Sequence, residues 1–361
     1  MSKDWIDQAI TRGLRSARRI ASEVSDFPHV TEKGRWVCTA DGVWTGGFWA
    51  GILWLAYEQQ RTDDWLGLAT SYTDRLLPRA RDTHNHDLGF MFYPSAIKGW
   101  RLTGNEAYRA AALQAATALA AQYNDEAGFI PGWGFFGAEN WSGSVLVDTL
   151  MNLPLLVWAT QQGGEARLMQ VVRGQVELTL KHHQRGDGSF YHVYKFDPKT
   201  GAPIAGDTYQ GLAAETTWTR GQGWAIAGLA MLAAMTGQQT YLDASKRAAA
   251  CFAARLGADH IPPWDFDATG ADQPKDASAG VIVAYGLLRL HALTGDAQYL
   301  QSATHMLEAL ARTCGNDAGP GGLLLHATAD LPHGLGIDQS TMYGDYYYLK
   351  ALIALRDRYQ S

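Results

Sequence analysis

Hydrophobic and polar residues follow two alternating patterns along this chain. In the first, as in residues 223–234 and 280–293, small and apolar residues lie on nearly every side, which predicts a helix buried all round. In the second, as in residues 241–252, apolar residues recur at intervals of three and four with charged residues between them, which predicts a helix packed on one face. The alternation therefore predicts an inner and an outer layer of helices.

A short motif, Thr-Gly-x-x-x-Tyr, joins an inner segment to the outer segment that follows it. It begins at Thr103, Thr236 and Thr294. Its glycine suits the left-handed residue that commonly follows a helix. The same helical hairpin therefore recurs, as in repeat architectures.

Counting the segments predicts an all-α fold. Six inner helices are expected, at about residues 46–60, 89–103, 145–160, 218–235, 277–293 and 340–355. Six outer helices accompany them, with the N-terminal helix closing the ring. The prediction is an (α/α)6 barrel, a toroid of six hairpins in a single domain, 1–361. Its mouth is expected to be lined by long loops near residues 25–45, 81–89, 124–144, 185–217 and 257–278.

Composition narrows the function classes. Hydrophobic residues make up 47% and charged residues 18% of the 361 residues, which excludes disorder. The formal charge of −6 offers no basic surface for nucleic acid. No apolar run resembles a membrane span and the start lacks a secretory signal pattern, so no membrane partner and a cytoplasmic location are expected. The three scattered cysteines predict buried thiols in place of a disulfide framework. Monomer and homodimer are equally compatible with the sequence.

Two acids are the main candidates for chemistry. Asp148 lies within an almost wholly apolar segment, 145–158, where desolvation is expected to raise its pKa; such an acid is usually retained for function. Asp87 directly precedes another apolar helical run. Two carboxyl groups at inner helix ends predict a glycan-active acid/base site. The structural alternatives are an N-cap for Asp87 and a buried, hydrogen-bonded acid for Asp148.

No metal site is predicted. The histidine pairs His84/His86 and His182/His183 lack a third ligand at a recognisable spacing, so solvated loop and helix-end histidines are expected. Residues 264–267 (Trp-Asp-Phe-Asp) lack the ligand pattern of a calcium loop and are interpreted as a structural turn.

Tryptophans are frequent in or beside the predicted mouth loops, and flat indole faces are common platforms for sugar rings. They are Trp36, Trp44, Trp133, Trp141, Trp218 and Trp264. The chain holds 13 tryptophans, so most must belong to the core, and each loop tryptophan has core packing as its alternative role.

Seven segments together resemble the unsaturated glucuronyl hydrolases of glycoside hydrolase family 88. They are 44–49 (Trp-Thr-Gly-Gly-Phe-Trp), 86–90 (His-Asp-Leu-Gly-Phe), 147–155 (Val-Asp-Thr-Leu-Met-Asn-Leu-Pro-Leu), 189–193 (Ser-Phe-Tyr-His-Val), 218–224 (Trp-Thr-Arg-Gly-Gln-Gly-Trp), 263–267 (Pro-Trp-Asp-Phe-Asp) and 343–347 (Tyr-Gly-Asp-Tyr-Tyr). The resemblance implies the six-hairpin barrel. It also implies release of a 4,5-unsaturated uronic acid from the non-reducing end of lyase-generated oligosaccharides, without a metal or organic cofactor.

The resemblance assigns roles residue by residue. It implies that Asp148 protonates C4 of the sugar double bond and directs water to C5, and we expect Asp87 to steady the positive charge that develops. Substrate-binding roles are implied for Trp44, Trp133, His192, Gln210, Arg220 and Trp224. The Arg220 guanidinium suits a carboxylate, whereas a lone histidine such as His192 is often structural. Tyr209 and residues 212–215 depart from the family pattern, which bears on the sugar that follows the uronate.

Two other function classes remain open from the residues alone. An inverting glycosidase acting on saturated sugars would need the carboxyl groups of Asp87 and Asp148 roughly 6.5–9.5 Å apart, with space for a water molecule. A sugar isomerase or a non-catalytic sugar-binding barrel would need a different lining. The isomerase requires paired histidines facing the funnel, and His192 is the one well-placed candidate.

Overall fold

The helices of the computed structural model alternate between two layers. The model describes residues 4–132, 142–270, 272–317 and 319–360. The outer helices are α1 (Asp4–Glu23), α3 (Asp63–Leu76), α6 (Glu106–Ala120), α8 (Ala166–His182), α10 (Gln239–Arg255) and α12 (Ala297–Thr313). The inner helices are α2 (Gly46–Gln60), α4 (Leu88–Phe92), α5 (Lys98–Thr103), α7 (Thr149–Gln161), α9 (Thr219–Thr236), α11 (Ala277–Thr294) and α13 (Met342–Gln360). A π-helical segment, Tyr93–Ile97, joins α4 to α5, so that the two form one inner position.

The inner helices form a closed ring. Each packs against the next in the order α2, α4, α7, α9, α11, α13, and α13 returns to α2. Every residue of α9 from Thr219 to Ala233 is buried, whereas α12 buries one face only. Helix α1 packs on α13, α12 and α2, as the ring-closing outer helix was expected to do. The predicted alternation of buried and one-sided helices is confirmed.

The three copies of the joint motif adopt the same conformation. Gly104, Gly237 and Gly295 have φ of 71°, 71° and 72°. Each donates its N–H to the carbonyl four residues earlier. The threonine before each glycine donates its hydroxyl to the carbonyl of the preceding turn. The repeated sequence therefore produces a repeated left-handed turn between inner and outer helices.

Short strands lie at the N-terminal ends of the inner helices. Strands β1 (Phe27–Glu32) and β2 (Arg35–Thr39) form an antiparallel hairpin before α2. Strands β3 (Ser144–Leu146), β4 (Val193–Phe196) and β5 (Pro203–Asp207) form an antiparallel sheet in which Leu146 pairs with Val193. The connection 314–341, which the sequence did not single out, also lies at this end. These segments build the mouth of the barrel.

The structure differs from two predictions that were based on composition, one about apolar segments and one about the cysteines. Helix α11, Ala277–Thr294, is long and apolar enough to cross a membrane by composition, with 72% of it buried inside the barrel. Its place in the inner ring accounts for that apolar character. Of the three cysteines, only Cys314 is buried; Cys38 is exposed and Cys251 is half-buried, so the prediction of buried thiols is wrong for Cys38.

Candidate active site

A cavity of about 340 Å³ opens at the mouth of the barrel. This volume lies at the small end of ligand pockets, roughly 300–1,000 Å³. Its lining comes from the β1–β2 hairpin, the starts of α4, α7, α9 and α13, and the connection 314–341. The polar and aromatic residues that line it include His29, Trp44, His86, Asp87, Asp148, Tyr209, Gln210, Trp218, Arg220, Trp224, Asp330, His333 and Tyr343.

Close packing between α4 and α7 brings the two candidate acids together. Asp87 and Asp148 directly precede α4 and α7. At Gly89, a Cβ atom would lie 2.3 Å from the Cα of Asn152, so only glycine permits this approach. Asn152 then bridges the helices: its Oδ1 accepts from Phe90 N at 2.8 Å, and its Nδ2 donates to Asp87 Oδ1 at 3.1 Å.

His86 lies between the two carboxyl groups. Its Nε2 is 3.4 Å from Asp87 Oδ1 and 3.7 Å from Asp148 Oδ1, and the residue is 1% exposed. The expectation of a solvated histidine is therefore wrong for His86, although His84 is exposed. The polar run around residue 84 gave no local sign that its second histidine would turn inward.

Close approach and burial shift the pKa values of His86 and Asp87. Burial opposes a charged imidazole, but the adjacent carboxylates of Asp87 and Asp148 outweigh it and raise the pKa of His86 to about 9. Burial raises the pKa of Asp87 to about 6, even though His86 and the Asn152 amide favour its ionised form. His86 therefore keeps its proton near pH 7, and Asp87 titrates closer to neutral pH than an exposed aspartate does.

Asp148 is more accessible than its sequence predicted. It occupies the N-cap position of α7 instead of the helix interior, and its side chain makes no capping hydrogen bond. The side chain is 15% exposed and lines the cavity, while Oδ1 is buried and has no hydrogen-bond partner among the described residues. Leu146, Val147 and Leu150 around it are fully buried. An acid in an apolar wall with one face toward the cavity can exchange a proton with a ligand.

Asp87 does not serve as a helix cap. It occupies the N-cap position of α4, yet its side chain makes no hydrogen bond to the first turn. Its Oδ1 instead accepts from Asn152. The capping role, which was the structural alternative for Asp87, is therefore not what its side chain performs.

The same three residues are close enough to bind a cation. Ligand atoms of His86, Asp87 and Asp148 all lie within 4.8 Å of one another. A protonated imidazole between two carboxyl groups already supplies positive charge there, and it would have to lose its proton to become a ligand. The charge balance of the site therefore does not require a metal ion.

Aromatic rings line the cavity beside the acids. Trp44 stacks on Tyr343 with ring centroids 5.2 Å apart and planes at 22°. Trp224 lies against Phe90 at 5.0 Å and is 1% exposed. Both tryptophans line the cavity, as expected, but Trp224 is held mainly by the core. Flat apolar surfaces beside polar groups are typical of sugar subsites.

The guanidinium of Arg220 is bound to other groups of the protein, which differs from its expected role as the partner of a substrate carboxylate. Its Nη1 donates to Asp276 Oδ2 and to the carbonyl of Thr328, both at 2.6 Å, and its Nη2 donates to the carbonyl of Ala329. The planar fork that was expected to receive a substrate carboxylate is thus engaged within the protein. Arg220 still lines the cavity, and its bonds to the carbonyls of Thr328 and Ala329 fix the connection 314–341.

Of the two expected ligand residues His192 and Gln210, only Gln210 lines the cavity. His192 is 3% exposed and lies under Trp218, with ring centroids 4.3 Å apart; it is not among the cavity-lining residues. Gln210 lines the cavity and donates from Nε2 to the carbonyl of Ala329 at 2.8 Å. Trp133, the remaining expected ligand residue, lies outside the described residues.

Several lining residues were missed by the sequence reasoning. Tyr209 stacks on His333 at 4.0 Å and 17°, and His333 Nδ1 is 2.8 Å from Asp330 Oδ1. His29, on β1, also lines the cavity; burial lowers its pKa to about 4. Apart from the departure at Tyr209, no local motif marked them, because they meet only through tertiary packing.

A ring of six helical hairpins around an aromatic cavity with a carboxyl pair defines a six-hairpin glycan-active enzyme. The chain belongs to Glycosyl Hydrolase Family 88, whose family model matches residues 15–351.

Relatives of known activity are similar over nearly their whole length. The unsaturated glucuronyl hydrolase of Bacillus sp. (strain GL1) is 34% identical, with 96% of each chain covered. The unsaturated chondroitin disaccharide hydrolase of Streptococcus pyogenes serotype M1 is 35% identical, covering 98% of this chain and 92% of that one. A solved Asp-to-Asn variant of an unsaturated glucuronyl hydrolase with dGlcA-Glc-Rha-Glc superposes with a TM-score of 0.92 at 33% identity, covering 96% of each chain. The predicted (α/α)6 barrel is confirmed.

Proposed function

We propose that this enzyme releases a 4,5-unsaturated uronic acid from the non-reducing end of oligosaccharides left by polysaccharide lyases. The observation that carries the proposal is the buried cluster of His86, Asp87 and Asp148 at the base of an aromatic cavity. Family membership and the activities named for the relatives support it.

The reaction begins with protonation of carbon. Asp148, which faces the cavity, gives its proton to C4, and the C4=C5 electron pair forms the new C–H bond. Positive charge then spreads over C5 and the ring oxygen. The carboxyl of Asp87, close to Asp148, stabilises that charge.

Water completes the addition. The carboxylate left on Asp148 accepts a proton from the water molecule as its oxygen bonds to C5, which regenerates the acid and yields a hemiketal. The hemiketal opens by breaking the bond between C5 and the ring oxygen. The resulting hemiacetal at C1 then releases the next sugar as an alcohol. One water molecule is consumed and the catalytic acid ends as it began.

The carboxyl separation disfavours the inverting mechanism. One oxygen of each acid lies within 4.8 Å of the other, whereas inverting glycosidases keep their carboxyl groups roughly 6.5–9.5 Å apart to admit water. Paired histidines of an isomerase are also not supported, since the cavity histidines come from separate segments: His29 from β1, His86 from the turn before α4 and His333 from the connection 314–341.

The decisive experiment uses lyase-made unsaturated disaccharides in heavy water. Loss of near-ultraviolet absorbance together with one deuterium at C4 of the product is the expected result. Release of sugar from saturated glycosides, with the absorbance of the unsaturated compounds unchanged, would contradict the proposal. Comparing chondroitin-derived and glucose-linked disaccharides would then define the sugar accepted after the uronate.

A further inference from the structure

Asp148 and three residues near it carry buried polar atoms whose hydrogen-bond partners the mechanism does not supply. Nε2 of His183, Nε2 of His192, Oγ1 of Thr149 and Oδ1 of Asp148 are all buried, and none has a hydrogen-bond partner among the described residues. His183 and Thr149 are 0% exposed and His192 is 3% exposed. Buried polar atoms are rarely left without a partner, because each such atom loses its hydration.

Backbone hydrogen bonds place these residues side by side. Val147 N donates to the carbonyl of His192 at 3.0 Å, which ties His192 to the residue before Asp148. Tyr191, next to His192, donates its N–H to the carbonyl of His183 at 3.0 Å. The charge of Asp148 acts on both imidazoles, and His183 acts on His192. The four atoms thus belong to one small region behind the catalytic acid.

The partners of the other ring nitrogens define the two tautomers. His192 Nδ1 accepts from the N–H groups of Tyr209 and Gln210, at 3.2 and 3.3 Å, so its proton is on Nε2. His183 Nδ1 lies 3.2 Å from the carbonyl of Tyr191, so that nitrogen carries the proton and Nε2 is an acceptor. Burial lowers the pKa of His183 to about 4 and that of His192 to about 3, so both rings are neutral near pH 7.

We infer that these four groups hold one buried water molecule behind Asp148, and that His183 is a positioning residue acting on Asp148 through that water. The water accepts from His192 Nε2 and from the Thr149 hydroxyl, and it donates to His183 Nε2 and to Asp148 Oδ1. Four hydrogen bonds are within the number that buried waters make. Each atom's donor or acceptor character is satisfied.

The water has a consequence for the acid. When Oδ1 accepts a hydrogen bond from behind, the acidic proton of Asp148 is held on Oδ2, the oxygen from which it can be transferred to a ligand. This consequence rests on the proposed function, whereas the water site itself does not. His86 Nε2, at 3.7 Å, is the competing partner for Oδ1.

A high-resolution crystal structure of the full chain without substrate tests the site directly. Expected is one ordered water within about 3.2 Å of Asp148 Oδ1 and both Nε2 atoms. Absence of that water, with Oδ1 bonded directly to His86, would overturn the inference. Nitrogen NMR of 15N-histidine-labelled protein should show neutral His183 protonated at Nδ1 and neutral His192 protonated at Nε2; reversed tautomers would also overturn it.

Two matched variants test the effect on catalysis. His183→Asn keeps an amide donor near the Nδ1 position and removes Nε2, whereas His183→Gln places an amide near the Nε2 position. His183→Asn should lower kcat about tenfold, the effect of one lost hydrogen bond, with KM within twofold and a shifted acid limb of the pH profile. His183→Gln should restore kcat to within about threefold.

The pH profile must be interpreted with all the groups around Asp148. These are His86 and Asp87 before α4, His183 after α8, His192 before β4 and Arg220 on α9. Equal rates for both variants and the unmodified enzyme, with the water present, would refute the positioning role of His183. If His183→Asn does not fold, the crystal and NMR measurements on the unmodified protein still decide whether the water exists. Absence of turnover on unsaturated substrates would instead remove the proposed function and leave those two measurements unaffected.

Discussion

Asp87 and Asp148 occupy equivalent positions at the starts of α4 and α7, but their side chains differ in exposure and in hydrogen bonding. Asp87 has 6% of its side chain exposed and accepts a hydrogen bond from Asn152. Asp148 has 15% of its side chain exposed, and its buried Oδ1 has no partner in the described part of the chain. The same helix-start position thus yields one acid held by the protein and one left for the ligand.

The difference separates two requirements of the reaction. A group that stabilises charge must stay in place, and the packing at Gly89 and the Asn152 bridge fix Asp87. A group that moves a proton must reach the ligand and change its partners, which the accessible face of Asp148 allows. Substitutions at either acid, or at the residues that hold Asp87, should therefore affect catalysis to different extents.

The largest effect is expected from Asp148→Asn. Because the amide cannot protonate C4, kcat should fall roughly 10³–10⁴-fold, with little change in KM. Absorbance loss on unsaturated disaccharides measures the rate. Asp63→Asn, an exposed acid at the start of α3, is the matched control and should keep the full rate. A fully active Asp148→Asn enzyme would remove the catalytic assignment.

Asp87→Asn should reduce kcat by about 10²-fold. The variant keeps a side chain that can bond Asn152 but cannot carry the negative charge that favours the transition state. A loss confined to KM would instead assign Asp87 to ground-state binding. The same absorbance assay, run at several substrate concentrations, separates the two outcomes.

Asn152→Ala should lower kcat about tenfold and stability by about 1–3 kcal/mol, because Phe90 N and Asp87 Oδ1 lose their buried partner. Asn152→Asp would be the informative companion, since it retains an acceptor for Phe90 N but brings negative charge toward Asp87. Thermal unfolding and steady-state kinetics measure the two effects. An unchanged rate in both variants would mean that Asp87 is held by other contacts.

Stability should decrease as pH rises through the neutral range. The pKa of His86 is raised from 6.5 to about 9 in the folded protein, so its contribution is complete below pH 6.5 and is lost as the pH approaches 9. The raised pKa of Asp87 acts in the same direction, and its share is lost between pH 3.8 and about 6. For His86 alone, the loss between pH 6.5 and 9 is about 3 kcal/mol.

Thermal unfolding at pH 6.5 and 9 measures this loss in the unmodified protein and in His86→Asn. The variant should show a smaller decrease in Tm between the two pH values. His84→Asn is the matched control, because His84 is exposed, and it should behave like the unmodified protein. Parallel curves for all three proteins would contradict the raised pKa of His86.

The smallest effect is expected from chelation. Dialysis against EDTA should leave kcat and Tm unchanged, because protonated His86 already balances the carboxyl groups. Loss of activity that returns with a single divalent cation would assign a metal to His86, Asp87 and Asp148. It would also end the contrast between a held acid and a free one, since both would then be ligands.

The sequence predicted most of the fold because its signals are local. Helical periodicity located the inner and outer segments, and the joint motif located turns that depend on a few neighbouring residues, such as Gly237. Asp148 and Asp87 could be selected because a lone acid beside an apolar run is unusual in itself. The long connection before α13 carried no such pattern, so its share of the cavity was missed.

What could not be predicted depends on contacts distant in sequence. His86 and His183 lie in polar stretches and become buried only when neighbouring hairpins pack. The fork of Arg220 is occupied by Asp276, 56 residues away, and no local signal distinguishes an internal carboxylate from one on a ligand. Asn152 was visible in a family motif, but its role as a bridge follows only from the approach permitted at Gly89.

Closure of the ring has a consequence for the order of synthesis. Helix α1 is synthesised long before α13, yet it packs on α13. Tyr343 of α13 also completes the stack with Trp44. A nascent chain therefore exposes the apolar face of α1 until α13 has emerged. A premature stop before α13 would leave an aggregation-prone remnant that lacks Tyr343 and so lacks a finished sugar-stacking surface.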